Sequence, residues 1–224
     1  MFADICTMYI LLAAATSFEI QPAMAQLPNS HEIEPLLTGV GSIPAAWSLM
    51  RQIGRRKPDC IIQAGIAGCF LPGRTGEVMV VKEESLGDVG VQENGRFRSV
   101  FDLNLMDSNT PPFANGLLVN PYKKWLDSTG LPQVRAVTIN EITTDTARMT
   151  WYQQNIAPVV ESMEGAALHY VCLQEHIPFL QLRSVSNDIG ERDKSKWDIK
   201  SSIAALNKEL TNIFQRLTTG ILTL

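Results

Sequence analysis

Residues 158–188 read PVVESMEGAALHYVCLQEHIPFLQLRSVSND, and this stretch contains the two patterns that decide the fold class. Its first part, Pro158 to His176, has apolar residues at helical spacing, which predicts a helix. Its second part, Phe179 to Val185, is a short apolar run that predicts a strand buried on both faces. A helix followed directly by a buried strand is typical of an α/β protein.

The same alternation continues towards both ends of the chain. Buried strands are predicted at Tyr9–Ala15, Leu36–Thr38, Cys60–Ala64, Val78–Val81 and Val134–Asn140. A helix is predicted from Pro44 to Ile53, and a last amphipathic helix carries an apolar stripe of Ile199, Ile203, Leu206, Leu210, Ile213 and Leu217. Residues 82–113 predict a hairpin or a long functional loop. We expect one α/β domain over residues 1–224, built around a largely buried sheet.

Composition limits the classes of function. The chain has 224 residues, of which 45% are hydrophobic and 19% charged, so it can bury one sizeable core. The formal net charge is −4 and there is no run of Lys or Arg, which argues against binding to nucleic acid or to an anionic membrane surface. The four cysteines are scattered and form no C-x-x-C pair. This usage predicts buried thiols in the reducing cytoplasm.

The N-terminus contains a pattern that resembles a secretory signal. The apolar run Ile10–Ala15 precedes Ala23-Met24-Ala25, which is similar to a cleavage site. However, no Lys or Arg precedes the run, and Asp4 stands where a positive charge is expected. We therefore expect a buried first strand, with residues 1–7 as a possible extension upstream of Met8, and no membrane-spanning segment.

Two glycine-rich corners follow predicted strands. Gly39-Val40-Gly41-Ser42-Ile43-Pro44 precedes a helix, as a phosphate-binding turn would, but it lacks the third glycine of a dinucleotide fingerprint. Ala64-Gly65-Ile66-Ala67-Gly68 is expected to end a strand, where small residues let a flat ligand lie against the backbone. Each corner taken alone is also explained as a tight turn.

Three segments in this order resemble the nucleoside phosphorylase/nucleosidase superfamily: GIAG at 65–68, ESMEGAA at 161–167 and RSVSND at 183–188. The resemblance covers nearly the whole chain. Segment 187–197, NDIGERDKSKW, together with LGDVG at 86–90, is most similar to the futalosine hydrolases, which cleave a nucleoside intermediate of a menaquinone pathway. The resemblance implies a three-layer α/β/α fold of the phosphorylase type with a central mixed sheet, a homodimer, and no metal or other cofactor.

The resemblance also implies roles for individual residues. Glu164 would accept hydrogen bonds from the ribose hydroxyls, with Met163 packing on the sugar. Glu19 would be the general base that activates water, and Arg183 would hold that water. The remaining predicted substrate contacts are Ala67, Gly68 and Ser186. Alternatives stay open: Glu164 could be an exposed residue at a helix start, Glu19 a helix-terminal carboxylate and Arg183 a buried ion-pair partner.

Asn187 stands where adenine-releasing relatives carry Asp. Its amide offers a donor and an acceptor, which match the O6 and N7–H groups of a 6-oxopurine leaving group. Hypoxanthine is therefore expected over adenine, although a shifted alignment would put Asp188 at this position. The stacking aromatic is unassigned, with Phe101 and Trp151 as candidates.

Two absences favour water over phosphate as the nucleophile. The first loop, TSFE at 16–19, carries no Arg, and Ile66 occupies the corner where phosphorolytic relatives have a hydroxyl residue. The histidines His169 and His176 are expected to be structural. Arg192 belongs to a mixed-charge surface group that could meet a substrate carboxylate.

The resulting prediction is hydrolysis of futalosine to hypoxanthine and dehypoxanthine futalosine. The alternatives are hydrolysis of methylthioadenosine or adenosylhomocysteine, and a catalytically silent nucleoside-binding protein.

Overall fold

The computed structural model describes residues 7–28 and 30–219, so the proposed extension at residues 1–7 lies outside the described residues except for Thr7. The strands are β1 Tyr9–Ala14, β2 Glu32–Leu37, β3 Cys60–Cys69, β4 Val78–Leu86, β5 Gly90–Glu93, β6 Arg96–Ser99, β7 Leu117–Val119, β8 Gln133–Thr138, β9 Val160–Ser162 and β10 Phe179–Asp188. The helices are α1 Ser17–Met24, α2 Ser42–Arg55, α3 Lys123–Thr129, α4 Thr146–Asn155, α5 Gly165–Glu175 and α6 Ile199–Thr218.

The central sheet is mixed, as expected, and part of it closes on itself. Its strand order is β10-β4-β8-β9-β3-β1-β2, with β7 added on β4, and β10 also pairs with β3. Strands β3, β10, β4, β8 and β9 therefore form a closed ring, from which β1 and β2 extend. The β3–β10 and β4–β8 pairs are parallel, whereas β4–β10 and β3–β9 are antiparallel.

Alternating residues of β1 show the three layers directly. Ile10 and Leu12 pack into a cluster that contains Leu206 and Phe214 of α6. Leu11 and Ala13 pack into a second cluster, with residues of α2 and α5. All the residues of β1 are buried, so both faces of this strand are covered by helices. The prediction of a buried first strand is confirmed, and among the described residues no helix has the length and apolarity that crossing a bilayer requires.

Several boundaries differ from the sequence prediction. Strand β2 lies at the end of the sheet order and is half exposed, so it is not buried on both faces. The corner Ala64-Gly65-Ile66-Ala67-Gly68 does not end its strand, because β3 continues to Cys69 through its pairing with β10 and β9. Residues 82–113 begin as the second half of β4 before the β5–β6 hairpin.

The largest correction concerns the stretch quoted first. Residues 160–162 form β9 and not the start of a helix, because they bridge β3 and β8 and so complete the ring. Helix α5 begins at Gly165, where a Cβ atom would lie 2.1 Å from Glu84 Oε2 and 2.4 Å from Gln181 Nε2. Only glycine fits at this close approach.

Candidate active site

A cavity of about 480 Å³ opens above the carboxyl ends of β1, β3 and β10. Of the predicted site residues, the following line it: Glu19, Ala67, Gly68, Met163, Glu164, Ser186, Asn187 and Arg192. Arg183 and Asp188 do not line it. Parallel strands bring residues from separate parts of the chain to one edge, which is the usual place for a site in an α/β protein.

Glu19 is a helix-terminal carboxylate, which is one of the two interpretations that its sequence position allowed, and it also lines the cavity. It is the third residue of α1, where Oε2 accepts hydrogen bonds from the Thr16 amide (2.9 Å) and hydroxyl (3.1 Å). Its other oxygen, Oε1, accepts from the Ile66 amide (3.2 Å). The carboxylate is thus held at a helix N-terminus and at the cavity wall together, which fixes the direction in which it can accept a proton.

Arg183 lies beneath the cavity and is 1% exposed. Its Nη2 donates to Gln63 Oε1 (2.9 Å) and lies 3.5 Å from Glu164 Oε2. A Cβ atom on Gly65 would lie 2.2 Å from Arg183 Nη1 and 3.0 Å from Glu19 Oε1. The missing side chain at position 65 therefore leaves the space that the guanidinium occupies beside Glu164.

Glu164 is not an exposed residue at a helix start, because it is only 6% exposed. It occupies the N-cap position of α5, and its Oε1 accepts a hydrogen bond from the Gly41 amide (3.0 Å). Gly41 has a φ of +97°, a conformation that suits glycine. The first glycine corner therefore binds a carboxylate of the chain itself, at the point where a phosphate-binding turn would hold an anion.

A bulge in β10 presents two consecutive residues to the cavity. The register with β3 shifts between Val185 and Asn187, so the usual alternation of faces is broken and both Ser186 and Asn187 line the cavity. Ser186 Oγ donates to Asn187 Oδ1 (2.8 Å), and Asn187 Nδ2 donates to the Asp188 carbonyl (3.0 Å). The Asp188 side chain lies outside the cavity, and its Oδ1 is buried without a partner among the described residues.

The cavity wall is acidic. Four carboxylates line it, those of Glu19, Glu161, Glu164 and Glu191, whereas Arg192 is the only Lys, Arg or His that does so in the described part of the chain. A free anion such as phosphate would meet net negative charge here. Arg192 itself is exposed and its guanidinium lies 5.6 Å from the centre of the Trp197 ring.

Several cavity residues were missed from the sequence, and two candidates were wrong. Phe101 packs on Phe113 and Trp151 packs on Phe97, and neither lines the cavity. The aromatic side chains that do line it are those of Phe18 and Trp197. Glu161 could have been found, because it stands inside the ESMEGAA segment. That segment was predicted to be helical, however, and the prediction did not indicate that the Glu161 side chain faces the cavity.

Beneath the cavity lies a second, fully buried polar layer. Burial raises the pKa of Glu84 to about 7, and Gln181 Nε2 donates to its Oε2 (3.0 Å). Burial also lowers the pKa of His169 to about 4, with Nδ1 lying 2.9 Å from the Leu118 carbonyl. His169 is thus a core residue and His176 is an exposed C-cap, and in residues 7–28 and 30–219 no three His, Cys, Asp or Glu side chains are grouped to hold a metal ion.

The family model described as the phosphorylase superfamily matches residues 29–221. Among curated proteins, a futalosine hydrolase of Streptomyces coelicolor is 29% identical over 189 residues, which are 81% of this chain and 77% of that protein. A 5'-methylthioadenosine/S-adenosylhomocysteine nucleosidase of Tolumonas auensis is 26% identical over 188 residues, with 79% and 77% covered.

Solved structures share the fold. A 5'-methylthioadenosine/S-adenosylhomocysteine nucleosidase of Helicobacter pylori, with butyl-thio-DADMe-Immucillin-A, superposes with a TM-score of 0.80 at 15% identity and covers 94% of this chain and 99% of that one. The native futalosine hydrolase of the same organism gives a TM-score of 0.78 at 15% identity, with 94% and 98% covered.

Proposed function

Because the chain belongs to the phosphorylase superfamily, we propose that it hydrolyses the N-glycosidic bond of a purine nucleoside with water as the nucleophile. One observation carries the choice of water over phosphate. The amides of Gly41 and Ile66, which could hold an oxyanion, already donate to Glu164 and Glu19. Phosphate would have to displace two carboxylates from an acidic cavity, which is electrostatically unfavourable.

In the proposed reaction Glu19 is the general base. A water molecule above Ile66 donates a proton to Glu19 and attacks the anomeric carbon as the glycosidic bond breaks. Glu164 accepts hydrogen bonds from the ribose hydroxyls, and its negative charge stabilises the positive charge that develops on the sugar. Arg183 acts from below, where its guanidinium lies near Glu164 and Gln63 and offsets part of the negative charge.

Asn187 is the proposed contact of the leaving base. Its Nδ2 carries a second hydrogen that can be donated to O6 of hypoxanthine, while Oδ1 accepts from N7–H. Ser186 supports this role, since its hydroxyl holds Oδ1 at 2.8 Å and so limits rotation of the amide. A base that leaves protonated at N7 is a better leaving group than its anion. The N7 proton is taken up from solvent as the glycosidic bond breaks, and Asn187 stabilises the protonated form by accepting from N7–H.

We propose futalosine as the substrate, which would give hypoxanthine and dehypoxanthine futalosine in menaquinone biosynthesis. The Streptomyces coelicolor relative supports this choice, and Arg192 at the cavity wall offers a cation for a substrate carboxylate. Methylthioadenosine or adenosylhomocysteine is the second candidate, since the Tolumonas auensis relative carries that activity in its name. The buried thiols of Cys60, Cys69 and Cys172 suit a cytoplasmic enzyme.

The test is incubation of the purified protein with futalosine, methylthioadenosine and inosine, with and without phosphate, and chromatography of the released base and sugar. We expect hypoxanthine and a free sugar from futalosine at an equal rate with and without phosphate. Glu19→Gln should lose turnover by about 10²- to 10⁴-fold while still binding substrate. A sugar 1-phosphate product would contradict hydrolysis, and no released base from any of the three substrates would favour the silent binding protein.

We further propose that the chain forms a homodimer through α2. Three apolar side chains spaced along one face of this helix are exposed, namely Ile43 (82%), Trp47 (66%) and Met50 (43%). Val40, which leads into the same helix, is also exposed and lines the cavity. A second copy that covered this face would bury the stripe and close one side of the site.

A further inference from the structure

Glu164 stands at the N-cap position of α5, but its side chain does not cap the helix. Its backbone carbonyl accepts a hydrogen bond from the Leu168 amide (3.2 Å), as the carbonyl of an N-cap residue does. Its side chain makes no cap hydrogen bond, because Oε1 accepts from the Gly41 amide (3.0 Å) and Oε2 lies 3.5 Å from Arg183 Nη2. The carboxylate that the proposed reaction uses is therefore not spent on the free amides at the start of its own helix.

The hydroxyl of Thr138 takes the place of the missing cap. Ala166 is the second residue of α5, and its amide donates to Thr138 Oγ1 (2.8 Å). In a helix with a side-chain cap, the amide of the second or third residue donates to an oxygen of the N-cap residue, which is most often Ser, Thr, Asp or Asn. Thr138 supplies the same kind of oxygen to the same amide, but it does so from a strand.

The sheet fixes Thr138 in this place. Thr138 ends β8, and its register partner on β9 is Ser162, which lies two residues before Glu164. The Ile139 amide donates to the Ser162 carbonyl (3.0 Å), so the strand pairing continues to the point where the chain turns into α5. The Thr138 side chain is buried and does not line the cavity. Thr138 therefore touches the helix start without touching the space that a substrate would fill.

The contacts of Thr138 keep the two roles separate. Its hydroxyl is hydrogen-bonded to the buried Glu84 carboxylate, which directs the hydroxyl proton there and leaves an oxygen lone pair for the Ala166 amide. Without the Thr138 oxygen, that amide would be a buried donor with no acceptor, which is costly. The acceptor that the N-cap position itself offers is the carboxylate of Glu164.

We propose that Thr138 is a positioning residue, which caps α5 in place of Glu164 and so keeps the Glu164 carboxylate available to the ribose hydroxyls. This inference rests on the proposed function and refines it. When the Thr138 hydroxyl is removed, the Glu164 carboxylate turns from the Gly41 amide towards the Ala166 amide. The resulting loss of activity falls on substrates that carry a 2′-hydroxyl, because that hydroxyl loses its acceptor.

The first test compares kcat/KM for futalosine and for its 2′-deoxy form. Thr138→Val keeps the shape of the side chain and removes the hydroxyl, and we expect it to lower kcat/KM for futalosine by about 10- to 100-fold, with a much smaller loss for the deoxy substrate. Thr138→Ser keeps the hydroxyl and should restore the wild-type ratio of the two values. Thr129→Val is the matched control, because Thr129 is also buried and accepts from a backbone amide, that of Leu131 (3.2 Å), but at the end of α3 and outside the cavity. It should keep the wild-type ratio.

The second test is a crystal structure of Thr138→Val, which needs no activity. We expect a Glu164 carboxylate oxygen to accept from the Ala166 amide, with the contact to the Gly41 amide lost. Thr138→Ala removes the same hydroxyl and takes the place of Thr138→Val in both tests if that variant does not fold. A Glu164 carboxylate that stays on Gly41, or an equal loss of kcat/KM on both substrates, would overturn the inference. A wild type that hydrolyses no purine nucleoside would instead overturn the proposed function, and the orientation of Glu164 in the variant would still decide whether Thr138 positions it.

Discussion

In the proposed reaction the choice of base depends on the amide of Asn187, which a single substitution can test. Asn187→Asp replaces the donor that faces O6 with an acceptor or a protonated acid. We expect Asn187→Asp to lose about 1–3 kcal/mol of transition-state stabilisation with a 6-oxo nucleoside, which is measured as a lower kcat/KM. The fall in kcat/KM for the matched 6-amino nucleoside should be smaller. Asp188→Asn is the matched control, because that side chain lies outside the cavity. If the ratio of the two kcat/KM values in Asn187→Asp stays at the wild-type value, Asn187 does not discriminate between the 6-oxo and the 6-amino base.

Protonation of the buried Glu84 side chain affects the stability of the folded protein. Its pKa in the folded state, about 7, is above the ordinary value of 4.5, so protonation favours folding. This contribution is fully present below pH 4.5 and is lost as the pH rises through 7. Glu84→Gln removes this dependence of stability on pH. The free energy of unfolding of the variant minus that of the wild type should therefore increase by about 3 kcal/mol between pH 4.5 and 8.

Urea denaturation at pH 4.5, 6 and 8 measures this difference. The titration of His169 occurs in both proteins and cancels in the comparison. Glu141→Gln, at an exposed position, should match the wild type at each pH. A relative stability of Glu84→Gln that stays flat over this range would mean that the pKa of Glu84 is not raised in the folded protein.

At the scale of residues, the sequence predicted which residues line the cavity better than it predicted the contacts that these residues make. The glutamate of the segment Met163-Glu164-Gly165 was predicted to be a site residue, and Glu164 does line the cavity. The burial of Arg183 beside a carboxylate was one of the alternatives that the sequence left open. The direction of Glu161 was not predictable, because it follows from strand register. The bulge between Val185 and Asn187 decides which side chains of β10 face the cavity, and no local pattern of residues 183–188 signals it.

Among the elements, α2 gives the clearest prediction. Trp47 stands in the middle of its exposed apolar stripe, and a central Trp in an interface typically contributes about 2 kcal/mol or more. Trp47→Glu should therefore shift the protein from dimer to monomer in sedimentation velocity experiments at micromolar concentration. Arg55→Gln makes the same change in net charge off the stripe and should remain dimeric. A wild type that sediments as a monomer would refute the dimer, and a dimeric Trp47→Glu would move its interface elsewhere.

Strand β9 shows why element type was harder to predict than element position. Residues 160–162 are too few to display a period, and the apolar spacing of the following helix extends back over them. Their strand conformation is imposed by pairing with Gly68 and Cys69 on one side and with residues of β8 on the other. By contrast, α2 and α6 were predicted well because their stripes persist over several turns.

For the molecule as a whole, the α/β class and its mixed buried sheet followed from the sequence, whereas the closed ring did not. Closure depends on the pairing of β10 with both β3 and β4, which are more than 90 residues earlier in the chain. Hydrophobic runs predict that strands exist and are buried, but they carry no information on which strands are neighbours. The cavity opens beside this ring, so its shape was equally beyond prediction.

The closed ring also bears on how the chain opens in solution. Strand β3 is paired along β10 and is flanked on its other edge by β1 and β9, so releasing its amides breaks ladders on two sides together. Among the described strands, β2 pairs only with β1. In native-state deuterium labelling, the amides of Ile61, Ile62 and Ala64 should therefore be among the last to exchange, at the free energy of global unfolding, while those of β2 exchange through local fraying. The floor beneath the cavity would then stay protected for as long as the molecule is folded.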